Sequence, residues 1–135
     1  SDPLGPLTSF RCFEFGVTCD VNDRDVMGAR KNCRPTSNSR YLHEVNTYVS
    51  FFRGLKPHAD MVQVAAVVGP LGPVVVGRDG PMPVLRPSCQ SATGSATPPV
   101  RLGALVKAFK GTMSSICDGD YGPAMEAMAS QVHAR

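Results

Sequence analysis

Met61-Val-Gln-Val-Ala-Ala-Val-Val68 decides the fold class. It is an almost unbroken apolar run, rich in β-branched side chains. Such a run marks a strand buried on both faces, as in a parallel sheet, and predicts Val62, Val64, Val67 and Val68 at the sheet centre. Upstream the period changes. Leu42, Val45, Val49 and Phe52 recur at helical spacing, widened by Tyr48 and Leu55, and predict an amphipathic helix of about 15 residues from Arg40. Ser37 to Ser39 are its candidate N-caps, and Gly54 and Pro57 stop it.

Downstream, residues 70–99 are punctuated by prolines from Pro70 to Pro99. Val74-Val-Val76, Arg78-Asp-Gly80 and Val84-Leu85 predict a small hairpin standing off the main sheet, kept short by flanking prolines. Pro98-Pro99 opens a second helix, whose expected buried face is Leu102, Leu105, Val106 and Phe109, with Gly111 as its terminator. Thr112-Met-Ser-Ser-Ile-Cys117 reads as a strand and Asp118-Gly-Asp-Tyr-Gly122 as a turn. Pro123 starts a last helix striped by Met125, Met128, Ala129 and Val132. The alternation of helices and strands means α/β, with helices on a mostly parallel sheet. Two core strands are too few for such a sheet, which needs neighbours and cover on both faces. Residues 40–135 therefore read as part of a domain, with 70–99 as a hairpin and loop insertion.

Residues 1–39 read as a cysteine-rich loop segment, in which Phe10-Arg-Cys-Phe-Glu-Phe-Gly-Val17 is an edge strand or an anchoring loop. The whole chain has 135 residues, 42% of them hydrophobic, with a net charge of +3. That is one domain's worth, and the charge is too slight to argue for nucleic acid. No apolar run approaches the roughly 20 residues of a membrane span, and Ser1-Asp2-Pro3 does not open an intact signal peptide. Five cysteines, Cys12, Cys19, Cys33, Cys89 and Cys117, contain no C-x-x-C pair. Loop-like surroundings suit disulfides and hence an oxidising compartment; the alternative is a cytosolic protein with inert buried thiols. The count is odd, so one cysteine is free or pairs outside the chain.

Four stretches resemble the C-terminal half of a von Willebrand factor type A domain, in the cysteine-rich form found in bacterial exported lipoproteins. They are Leu4-Gly-Pro-Leu-Thr-Ser-Phe-Arg-Cys-Phe-Glu-Phe-Gly-Val-Thr-Cys-Asp20 and Tyr48-Val-Ser-Phe-Phe-Arg-Gly-Leu-Lys56 with the run Val62–Val68. The others are Pro87-Ser-Cys-Gln-Ser-Ala-Thr-Gly-Ser-Ala96 with Pro99-Val-Arg-Leu102, and Ser115-Ile-Cys-Asp-Gly-Asp-Tyr121 with the helix after it. The resemblance implies a Rossmann-like, three-layer sheet flanked by helices, of which this chain holds the C-terminal part. It implies an extracellular or cell-surface domain that binds a protein ligand and does not catalyse. The location implied is exported: periplasmic, cell-surface or outer-membrane anchored. In that family a divalent metal, Mg or Ca, is held by Asp-x-Ser-x-Ser and later Thr and Asp residues. That pattern is absent here, so no metal ligand is carried over, and the metal belongs to the parent domain. The partner implied is the N-terminal half of the same domain, or another chain.

The expected disulfides join Cys19 to Cys33 and Cys89 to Cys117, the second tying the hairpin excursion back to the sheet. The preceding segment of the resembled family carries a cysteine near the start of this chain, which makes Cys12 the candidate for an external disulfide. Asp20-Val-Asn-Asp-Arg-Asp25 has the alternating oxygens of a calcium loop, but Arg24 falls on a ligand position and Asp25 on the glycine position, so it reads as a solvated turn. Asp118 and Asp120 read as turn formers at a helix start. His43, His58 and His133 are the general-base candidates, and none sits in a recognisable catalytic motif. The competing class is a secreted hydrolase fragment completed by another segment. A third is a self-contained structural module.

Overall fold

The valine-rich run 61–68 forms a shorter and less buried strand than its composition predicts. The computed structural model describes residues 10–133 together with Leu4 and Thr8. The chain runs α1 (Phe10–Gly16), β1 (Val17–Thr18), β2 (Gly28–Arg30), β3 (Arg34–Pro35) and α2 (Val45–Arg53). After a 3-10 turn at Ala59–Met61 come β4 (Ala65–Val68), β5 (Val74–Asp79), β6 (Met82–Leu85), β7 (Cys89–Gln90) and β8 (Ser95–Ala96). Helix α3 (Val100–Ala108), β9 (Thr112–Ser115) and α4 (Gly122–His133) complete it. The architecture is mixed α/β, with small sheets and four helices among the described residues.

Strand β4 pairs in parallel with β9, from Ala65 opposite Thr112 to Val68 opposite Ser115. With α3 between the two strands, this is a strand–helix–strand crossover. No further strand joins either outer edge among the described residues. Val62, Val64, Val67 and Val68 are therefore half-buried and not central, and Ala65 is exposed. Two strands cannot cover both of their own faces, and α3 and α4 pack on β9.

The proline-rich excursion contributes one of the two most deeply buried side chains among the described residues. Its hairpin, β5 and β6, forms with Asp79 opposite Met82. It does not stand off, because β2 pairs along the other side of β5 with Gly28 opposite Val76 and Arg30 opposite Val74. Strand β5 is thus central in a three-stranded antiparallel sheet, and Val76 is 2% exposed. Val106 of α3 is the other side chain buried this deeply, at 1%. Val74, Phe10, Val17, Val49 and Phe109 complete most of the buried apolar set.

Other expectations need correction. Phe10–Gly16 is a helix, in which Phe10 and Phe13 share one face with ring centroids 5.8 Å apart. A short apolar run does not distinguish strand from helix by pattern alone. Helix α2 begins at Val45 and not Arg40, since the Tyr41 and Leu42 amides donate to Ser39 Oγ and close a separate turn. On α3, Leu102 points outward and Gly103 takes the buried position, against which Leu71 packs.

The stripe expected inside α4 lies mostly outside: Met125 and Val132 are 51% and 63% exposed. Ala124, Ala127, Met128 and Gln131 face inward instead. Gln131 Oε1 accepts from the Thr112 amide and hydroxyl at 3.3 and 3.1 Å, and its Nε2 donates to the Val64 carbonyl at 3.4 Å. This polar anchor orients the helix because it satisfies backbone groups where the strand pair begins.

Candidate functional site

Helix α3 ends in a Schellman motif. The Gly111 amide donates to the Val106 carbonyl at 3.0 Å, and the Lys110 amide to the Lys107 carbonyl at 3.0 Å. The residue in the left-handed region is Lys110, at φ 52°, where glycine is usual. Gly111 is needed for a different reason: a Cβ there would run into the Val64 carbonyl oxygen.

Beside this cap lies a groove of about 920 Å³. One wall is α3, from Val100 to Lys107. The opposite wall is Asn32–Pro35, and the loop Leu71–Val74 closes one side. The apolar lining is mostly aliphatic, with Leu71, Val74, Val100, Val106 and Met113. The charged lining residues are Arg30, Arg34, Lys107 and Lys110; none is acidic. Arg30 is 7% exposed, and its guanidinium donates to the Asp23 carbonyl at 2.9 Å and to the Val26 carbonyl. Arg34, Lys107 and Lys110 are exposed, and their side chains have no hydrogen bond or ion pair among the described residues.

Disulfide Cys19–Cys33, with S–S 2.06 Å, sits at the Arg34 wall. The turn it encloses holds itself by side chain to backbone bonds. Asp20 Oδ1 accepts from the Lys31 amide at 2.7 Å and the Val21 amide at 2.9 Å. The Lys31 amide bond is the main cause holding the Asp20 carboxyl below the usual range, with smaller help from the Val21 amide, its own amide and the Lys31 charge, and desolvation opposing. Asn22 exchanges two bonds with the Cys19 backbone, and Asp23 accepts from the Asp25 amide. Arg24 pairs with Glu14 at 3.3 Å, and Asp25 with Arg78 at 3.4 Å.

The remaining candidates are scattered. Disulfide Cys89–Cys117, with S–S 2.01 Å, ties β7 to the end of β9. Cys12 is a free, exposed thiol on α1. Asp120 accepts from the Gly122 amide at 2.8 Å at the start of α4, and Asp118 is exposed. His43 lies edge-on to Tyr48, His58 precedes the 3-10 turn, and His133 ends α4. The histidines are not brought together. Among the described residues no group of three or more His, Cys, Asp or Glu side chains could hold a metal ion.

Sequence reasoning missed the groove. Arg34 and Lys107 lie in segments brought together only by the packing of β3 on α3, and a net charge of +3 gives no sign of a local cluster. Compared with protein-family models, curated proteins and solved structures, the chain matches none of them.

Proposed function

We propose that this chain is an exported protein-binding domain, built as the C-terminal part of a von Willebrand factor type A fold and engaged in adhesion and not in catalysis. The observation that carries the reading is the set of large hydrophobic side chains left at the surface. Thirteen large hydrophobic side chains are exposed among the described residues, against nine hydrophobic residues buried. Phe51, Leu55, Met61 and Val132 are each more than half exposed. Large apolar side chains left in water are available for contact with protein.

The outer edges of β4 and β9, unpaired among the described residues, support the same reading, because parallel strands are stable inside larger, covered sheets. Two disulfides support export, since such bonds persist in oxidising compartments. No helix among the described residues is long and apolar enough to cross a membrane. The missing neighbours of β4 and β9 come from a preceding segment of the parent protein or from another chain. Cys12 forms the covalent link to it, and the divalent metal of the adhesion site, Mg or Ca, lies in that other part.

The test joins residues 1–135 to the segment that precedes them in the parent reading frame. Joining should slow amide exchange at Ala65–Val68, and mapping without reductant should show Cys12 in a disulfide to that segment. A chain that is monomeric alone, already slow at these amides, and still a free thiol at Cys12 after joining would overturn the reading.

A further inference from the structure

We infer that the groove between α3 and the Cys19–Cys33 loop binds an acidic segment of a partner protein, one that alternates carboxylate and aliphatic side chains. This rests on the reading of the chain as a protein-binding domain and specifies which chemistry it selects. Arg34, Lys107 and Lys110 stand exposed with no partner among the described residues, around a lining that contains no acidic residue. A carboxylate brought into this groove meets the attractive positive potential of all three cations and no repulsion from the lining. The apolar lining beside these cations is aliphatic: Leu71, Val74 and Met113 offer contacts for branched side chains.

The same features argue against other anions. Single-stranded nucleic acid is held by stacking on aromatic side chains, and this lining has none. A lipid surface is met by a protruding basic and apolar face, whereas these cations rim a concavity.

Lys110 gives the assignment a direct test. It occupies the left-handed position of a Schellman cap, where the backbone favours glycine over a residue with a Cβ. Replacing it with glycine therefore removes a rim charge without weakening the fold, so that a loss of binding cannot be ascribed to unfolding.

The experiment measures anisotropy of a short labelled peptide alternating leucine and glutamate, against counterparts in which lysine or serine replaces glutamate. The acidic peptide should bind, its affinity should fall with added salt, and the lysine peptide should not bind. Lys110→Gly should weaken binding several-fold while the melting temperature holds or rises. Lys107→Glu combined with Arg34→Glu should weaken it about tenfold or more. Lys56→Glu, away from the groove, should leave it unchanged. Equal binding of the serine peptide, or indifference to the groove variants, would overturn the charge selection while leaving a protein-binding domain in place. No binding by any peptide would overturn the groove assignment alone, because the domain reading is tested by amide exchange at β4. Binding that disappears once the preceding segment is joined would mean the groove is an internal interface, and would also overturn it.

Discussion

At Gly111 the chain leaves α3 and passes so close to β4 that a single methyl group has no room. The obstacle is the Val64 carbonyl, a backbone atom paired within the structure, so no rotamer change relieves it. Gly111→Ala should therefore destabilise the protein by about 3 kcal/mol, as overpacking at a rigid contact does. Urea unfolding of the two proteins measures this; a midpoint unchanged by the substitution would mean that α3 and β4 are not in register here. The position was legible in the sequence as the end of a helix, but its cause was not. Glycine reads as a left-handed cap, and here Lys110 takes that conformation while glycine serves close approach. Likewise Gln131 could not be picked out, because its value comes from an amide on β9 and a carbonyl beside β4.

Elements with a local signal were read well, and those that depend on distant partners were not. Proline marks the starts of α3 and α4, and Val74–Leu85 forms the hairpin that its valine runs about Arg78-Asp-Gly80 predict, though joined to β2 and not standing off. The N-terminal region gave no sign of β2, because three residues become a strand only when β5 pairs with them. Short ribbons need help of another kind. Strands β7 and β8 have two residues each and are too small to persist alone. Disulfide Cys89–Cys117 bridges a separation of 28 residues and holds this ribbon to the end of β9. In the chain-entropy picture, closing such a loop stabilises by about 3.6 kcal/mol. Replacing both cysteines with serine should lower stability by roughly that amount in chemical denaturation. It should also expose the Ser88–Ala96 amide bond to exchange. Stability equal to the parent would show that the ribbon stays in place without its tether.

Across the whole molecule the core is displaced from where an α/β pattern puts it. Alternating helices and strands direct attention to the parallel pair, yet the deepest side chains are Val76 in the antiparallel hairpin sheet and Val106 on α3. The physical reason is coverage. Strand β5 is flanked on both sides, by β2 and β6, whereas among the described residues β4 and β9 have only each other. Arg101 adds to the cohesion of the first region. Its guanidinium donates to the Gly16 carbonyl at 3.3 Å and the His43 carbonyl at 2.6 Å, linking α3 to the end of α1 and the approach to α2. Opening free energies should therefore fall in two tiers, because local stability follows buried contacts and the pairing of neighbours. Native-state amide exchange on residues 1–135 should find the slowest amides in β5, around Val74–Val76, and in the middle of α3. Amides of Ala65–Val68 should exchange well before global unfolding. The opposite order, with β4 slowest and β5 fast, would place the stable core in the parallel pair after all. It would then remove the grounds for giving β4 and β9 further neighbours.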